Sequence, residues 1–242
     1  MRTYIINLER SAERRKYMLE QLSSLFFLSV EFVVGVDGKL MNEKEKNEKF
    51  NQERFLLRYN QKVRPGEIGC TLSHQKCYRK LLESTDESVL ILEDDIIIKE
   101  DIREIIKNIE KVLRSTQPRI VLLSGRYMYT RKQKFCECFD LVNVFNASFT
   151  HAYAINRAAA GLLVEKRPEI LADDWNYIRR KGVKLKAVFP HVINQNWSGE
   201  YYTLVNDDRL ERVKKLSALW LYRKIDNIFS KLLVLFGRYE KE

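Results

Sequence analysis

The chain has 242 residues, 45% of them hydrophobic and 11% aromatic, enough to bury one substantial core and too short for two large domains. Its 43 Lys and Arg exceed 33 Asp and Glu, a formal net charge of +10 that points to an acidic partner such as a phosphorylated ligand, a nucleic acid or an anionic membrane. The opening run MRTYIINLERSAERR meets charge too soon for a secretory hydrophobic region or a spanning helix, so a cytoplasmic protein is expected.

YIINL (4–8) reads as a strand, followed by a helix in which Met18, Leu22 and Leu25 recur at helical spacing behind a Ser11 cap. EFVVGV (31–36) is a second strand, stopped by the turn Asp37-Gly38. Residues 42–59, rich in Glu and Lys, predict a solvated helix with loops, and RPGEIG (64–69) is expected to break the chain. A helix over 70–84, packed through Leu72, Leu81 and Leu82, leads into VLILEDDIII (89–98). Then Ile102, Ile105, Ile106, Ile109, Val112 and Leu113 form the clearest amphipathic helix in the chain. RIVLLSG (119–125), LVNVF (141–145), HAYAI (151–155) and KLKAVF (184–189) predict strands, while RAAAGLLVEK and DDWNYIRRKG predict helices, the second ended by Gly182. Strands alternating with helices predict an α/β fold with a Rossmann-like, mainly parallel sheet flanked by helices.

Beyond Asp208, apolar and aromatic residues mix with many Lys and Arg, predicting a basic amphipathic helical tail (208–242) after a domain at 1–207. Two readings of the tail stay open: attachment to an anionic membrane surface, or a helix docked on the domain or on a second copy. Cys70, Cys77, Cys136 and Cys138 read as free thiols, because CECF leaves one residue between its cysteines where zinc knuckles have two or more.

Glu93, Asp94 and Asp95 interrupt an apolar run at what looks like a strand end, where open α/β sheets bind ligands. Buried carboxylates need water, a cation or a chain break, and hard oxygen ligands suit Mn²⁺ or Mg²⁺. The bland alternative is a strand ending at Leu92, with the acids in a solvated turn.

YIINLERSAERR, GVDGK, GEIGCTLSHQKCYRKLLES, VLILEDDIII and THAYAINRAAAGLL, in that order, resemble glycosyltransferase family 25, which includes bacterial lipooligosaccharide galactosyltransferases and collagen galactosyltransferases. The resemblance implies a GT-A fold, a nucleotide-sugar donor (commonly UDP-galactose), a divalent ion, Mn²⁺ or Mg²⁺, and inversion at the anomeric carbon. The implied acceptor is a terminal sugar of lipooligosaccharide, joined by a β-1,4 bond at the inner membrane face. Glu93, Asp94 and Asp95 match the family's acidic motif, with Asp95 as metal ligand and Glu93 or Asp94 holding ribose or a metal-bound water. Asn7, Leu8, Arg10 and Arg14 match a motif implied to line the nucleotide pocket, Asp37 and Gly38 a turn near uracil or ribose, and Ser73 and His74 a pair near the donor. Asp174 matches a later family Asp and is the expected general base, with Asp173 beside it; an N-cap is the alternative role.

His151 is expected beside the donor sugar, His191 as a second metal ligand at a position where it departs from the family pattern, and Gln195 matches a family glutamine. Trp175 and Trp197 read either as sugar-stacking platforms or as core anchors. Nucleic acid is not an expected partner, since a backbone-tracking protein gives no reason for the acidic triplet. The competing readings are a basic nucleic-acid-binding protein and a non-catalytic, membrane-bound α/β scaffold.

Overall fold

A computed structural model of the chain describes residues 1–99, 101–196 and 217–241. The first apolar run forms β1 (Arg2–Asn7), whose side chains alternate between two cores, Tyr4 entering one face of the sheet and Ile5 the other. α1 (Ala12–Leu22) covers the Ile5 face through Met18 and Leu22, and β2 (Ser29–Val34) returns parallel to β1. The solvated stretch is two helices, α2 (Glu43–Lys49) and α3 (Gln52–Tyr59), parted at Phe50 and each begun by an Asn cap. α4 (Pro65–Glu83) starts five residues earlier than the spacing suggested. Pro65 occupies its first turn, where a missing N–H is no loss, and Glu67 reaches back to accept from the Arg64 N–H at 2.8 Å.

β3 (Ser88–Glu93) is buried on both faces, which is why it reads as a continuous apolar run. It ends at the acids, and β4 (Ile96–Ile98) leaves in a separate small sheet. Next come α5 (Arg103–Leu113), β5 (Arg119–Leu122) and a long hairpin, β6 (Arg126–Cys136) with β7 (Phe139–Ser148). β8 (Ala152–Asn156), α6 (Arg157–Leu163), α7 (Trp175–Arg180), β9 (Lys184–Phe189) and β10 (Ile193–Gln195) follow, then α8 (Ala218–Leu235) and β11 (Glu240–Lys241). The expected boundary at 207/208 lies outside the described residues.

Nine strands form one sheet in the order β11-β6-β7-β9-β5-β8-β3-β1-β2, and β10 pairs antiparallel with β4. Six of the nine, β1, β2, β3, β5, β6 and β9, run in one direction, yet only β1–β2, β1–β3 and β5–β9 are parallel pairs. The mainly parallel expectation therefore holds for strand direction but not for pairing: β8, inserted between β3 and β5, and the β6–β7 hairpin make the sheet mixed. α4, α6 and α7 pack on the Tyr4 face, α1 and α5 on the other.

The turn after β2 meets α4 backbone to backbone. A Cβ on Gly38 would lie 1.8 Å from the Pro65 carbonyl oxygen, and one on Gly69 would lie 2.4 Å from that of Val36. Gly38→Ala is expected to cost about 3 kcal/mol or more, seen as a lower urea midpoint at unchanged slope. Gly161→Ala, where an added Cβ meets only Leu82 Cδ2 at 3.8 Å, should be neutral or stabilising, as alanine generally is in a helix.

Candidate active site

β1, β2 and β3 run parallel and end side by side at Asn7, Val34 and Glu93, and a cleft opens just beyond these ends. The expected residues Leu8, Arg10, Arg14, Asp37, Gly38, Ser73 and His74 all line it, as do the three acids.

The three carboxylates have different surroundings. Glu93 Oε1 accepts from Thr150 Oγ1 at 2.5 Å and lies 3.5 Å from His74 Nε2. Burial alone would raise its pKa, but His74, His151 and Thr150 outweigh burial and hold the carboxyl below the usual range. Asp94 is bonded at both oxygens, Oδ2 by Asn7 Nδ2 at 2.8 Å and Oδ1 by Arg14 Nη1 at 2.8 Å; burial raises its pKa against the pull of Arg14 and Asn7. Asp95 is 4% exposed. Its Oδ2 accepts from Gln195 Nε2 at 3.0 Å and lies 3.6 Å from Arg14 Nη1, while its buried Oδ1 has no hydrogen-bond partner among the described residues. Burial, then the charge of Glu93, pushes the Asp95 carboxyl up. The strand continues through the half-buried Glu93, and Asp94 and Asp95 in the turn beyond it are buried, so the bland reading of a solvated turn does not hold.

Several expected ligand contacts are instead internal supports. Besides holding Asp94, Asn7 Nδ2 donates to the Ser11 carbonyl at 3.0 Å. The Ser73 hydroxyl donates to the Gly69 carbonyl at 2.7 Å and accepts from the Val36 N–H at 2.8 Å, pinning the turn after β2 to α4. Asp37 Oδ2 accepts from Arg10 Nε at 2.5 Å, fixing that guanidinium at the cleft rim. His74 Nδ1 is held by Tyr153 OH at 2.8 Å, which turns Nε2 toward Glu93.

Asp173 and Asp174 are divided by their partners. Asp174 caps α7, accepting from the Tyr177 N–H at 3.1 Å, and its other oxygen accepts from Tyr59 OH at 2.6 Å. Both of its oxygens thus serve the fold, at the residue expected to be the general base. Asp173 Oδ2 accepts from the Phe149 N–H at 3.1 Å; burial raises its pKa, and it lies near enough to Glu93 and His151 to interact with their charge. His151 stacks on Phe149 at 5.0 Å, and burial lowers its pKa against the pull of Glu93 and Asp173.

His191 was the expected second metal ligand. It precedes the β4–β10 ladder at the end where the Lys99 N–H meets the Val192 carbonyl, and it pairs with Asn194, whereas Gln195 at the opposite end meets Asp95. Trp175 is a core anchor, 0% exposed, with Nε1 donating to the Phe149 carbonyl at 2.8 Å and its ring edge-on to Tyr153. Trp197 lies outside the described residues. Thr150 and Tyr153 carry no expectation from the sequence although THAYAI contains them both beside His151, and Cys70, expected only as a free thiol, lines the cleft.

A family model described as Glycosyltransferase family 25 (LPS biosynthesis protein) matches residues 1–174. The chain belongs to glycosyltransferase family 25. A "Glycosyltransferase 25 family member" of Anopheles gambiae is 40% identical over 98 residues, which cover 38% of this chain and 16% of that protein. "Procollagen galactosyltransferase 2" of Mus musculus is 29% identical over 173 residues, 68% of this chain and 27% of that protein. The chain spans under a third of the length of either relative. Among solved structures, A197 from STIV aligns over 90% of this chain and 97% of that one, at 13% identity and a TM-score of 0.42, too loose a likeness to argue from.

In this family-25 chain the cleft suits a hard divalent cation. Glu93, Asp94 and Asp95 gather negative charge near Asp173, Arg14 meets the charge of Asp94 and Asp95, and among the described residues Asp95 Oδ1 is a buried acceptor with no donor.

Proposed function

We propose that the chain is an inverting, metal-dependent glycosyltransferase of GT-A type that moves galactose from UDP-galactose to a terminal sugar of lipooligosaccharide through a β-1,4 bond. The observation that carries this reading is the buried, unpartnered oxygen of Asp95, set at the ends of three parallel strands beside a cleft edged by Arg10, Arg14 and Lys39. Mn²⁺ or Mg²⁺ held by Asp95 Oδ1 would supply charge stabilisation for the leaving diphosphate. Arg14, already bridging Asp94 and Asp95, keeps the two carboxylates apart in role, so that Asp95 alone offers a free oxygen. Arg10 adds positive charge where the phosphates would leave. Asp173 takes the proton of the attacking acceptor hydroxyl; its raised pKa brings it closer to neutral, where a base is most effective. The hydroxyl oxygen bonds to the anomeric carbon as the bond to the β-phosphate oxygen breaks.

A panel of UDP-sugars assayed for UDP release with Mn²⁺, Mg²⁺ or EDTA tests this. Expected is metal-dependent turnover with UDP-galactose preferred. Turnover in EDTA, or release only from a non-galactosyl donor, contradicts the metal or the donor assignment respectively.

The acceptor reading draws further support from α8. Leu221, Ile225, Ile228, Phe229, Leu232, Leu235 and Phe236 are all exposed, and at 100° per residue they fall in one stripe of about 120°. The buried face is the polar one, with Asp226 paired to Arg180, Ser230 bonded to the Asp226 carbonyl, and Arg223 over the Tyr59 ring at 4.5 Å. Exposed Lys224 and Lys231 run along one edge of the apolar stripe. An outward apolar face edged by cations on a chain of net charge +10 fits an anionic bilayer surface, which supports the reading of a lipid-linked acceptor at the inner membrane. No described helix is long and apolar enough to cross a membrane. The purified chain should co-sediment with phosphatidylcholine vesicles only when phosphatidylglycerol is added, and Ile228→Asp with Leu232→Asp should weaken binding tenfold or more, on the order expected for two lost apolar anchors. Concentration-dependent dimerisation with no vesicle binding would instead assign the stripe to a second copy.

A further inference from the structure

Cys70 lines the cleft, yet the transfer reaction gives its thiol no part. It lies one turn before His74 on the same face of α4, and Glu93 closes on both from the end of β3. One ligand atom from each of the three, the Cys70 sulfur, a His74 ring nitrogen and a Glu93 carboxylate oxygen, lie within 4.8 Å of one another. Tyr153 OH occupies His74 Nδ1 at 2.8 Å and is itself joined to Tyr78 OH at 3.0 Å, so the ring is held with Nε2 inward. That Nε2 is buried, has no hydrogen-bond partner among the described residues, and stands 3.5 Å from Glu93 Oε1. Two N/O ligands on a tetrahedral zinc, each at ~2.0–2.2 Å, stand about 3.4 Å apart, so this pair is already spaced for the ion. Thr150, at 2.5 Å from the same Glu93 oxygen, fixes the carboxylate.

We propose that Cys70, His74 and Glu93 form a zinc site in the wall of the cleft, three-liganded with its fourth position toward the cleft, through which Zn²⁺ excludes the sugar donor. The thiol sets this site apart from the ion assigned to Asp95: sulfur and imidazole select Zn²⁺, whereas Mn²⁺ and Mg²⁺ are served by carboxylate, water and phosphate oxygens. The inhibitory effect rests on the donor reading of the cleft; the metal site does not.

The test uses the full chain stripped of metal and titrated with Co²⁺, then with Zn²⁺. Expected is one Co²⁺ per chain with a near-ultraviolet thiolate-to-cobalt band, displaced by Zn²⁺. The band should persist in the Cys136→Ser/Cys138→Ser double variant and vanish in Cys70→Ser, whose zinc affinity falls at least about tenfold. No thiolate band, or one that survives Cys70→Ser, overturns the site. In parallel, with Mn²⁺ or Mg²⁺ in excess, Zn²⁺ at the concentrations that displace Co²⁺ should stop UDP release, reversibly on adding EDTA equimolar to the zinc. A Cys70-dependent band without inhibition upholds the metal site and overturns donor exclusion, and with it the reading of this cleft as the donor site.

Discussion

Asp95→Asn is expected to abolish turnover, by about 10³-fold or more, and at the same time to raise the melting temperature of the metal-free protein. Both effects follow from the same atom. Asp95 Oδ1 is buried without a donor, and the carboxyl is pushed up by burial and by Glu93, so its ionised form is penalised in the folded chain relative to the unfolded one. The sign fixes the pH window. The penalty is absent below the ordinary carboxylate range and grows as pH rises toward the raised folded-state value of about 7. Above that the wild type carries it in full, unless a cation offsets it. Asparagine removes the charge while keeping the shape, which should stabilise the metal-free fold near pH 8 by about 1–2 kcal/mol, roughly 2–6 °C. Saturating Mn²⁺ should reverse the order, raising the melting temperature of the wild type and leaving Asp95→Asn unmoved. Scanning calorimetry at pH 5 and pH 8, with and without Mn²⁺, reads all four cases. A variant less stable than wild type in EDTA at pH 8 would mean that Asp95 is a structural carboxylate.

The second large effect separates two adjacent aspartates. Asp173→Asn should lower kcat about 10²–10⁴-fold with the donor KM little changed, because it removes the proton acceptor and keeps the amide-sized group against the Phe149 N–H. Since burial raises the Asp173 carboxyl, activity should climb with pH on its acid side as the base ionises, and the residual activity of the variant should lack that rise. Asp174→Ala should behave differently. It removes the cap of α7 and the partner of Tyr59, for a loss of about 2–4 kcal/mol, while the molecules that remain folded keep most of their kcat. A large kcat loss in folded Asp174→Ala, with near-normal Asp173→Asn, would reverse the assignment.

Elements whose burial leaves a periodic signature were legible in the sequence. β1 and β3 are nearly continuous apolar runs because both faces of the sheet are covered, and α5 shows its stripe because only one face is buried. β6 was not, since only Tyr127 and Tyr129 of RYMYTRKQKFC enter the core, and its charged, exposed middle is held by pairing with β7. The start of α4 hid behind Pro65 and Gly66, which suggest a break in isolation but suit a first helical turn closed by Glu67. The acidic triplet was visible as an interruption, but not the division of labour within it. Asn7 and Arg14 occupy both Asp94 oxygens, while one oxygen of Asp95 is left free, and those partners lie about 80 or more positions away in the chain. Asp174 had the opposite fate: a motif match suggested chemistry, while an N-cap bond and the Tyr59 hydroxyl employ it in the fold.

Equilibrium binding of UDP to the purified chain, measured by calorimetry with Mn²⁺ and again in EDTA, for wild type and Asp95→Asn, tests most directly whether this cleft is a metal-dependent nucleotide-sugar site. UDP binding at least tenfold tighter with Mn²⁺ in the wild type, and insensitive to Mn²⁺ in the variant, is the expected result; affinity that neither EDTA nor the substitution changes, or no UDP binding at all, would contradict it.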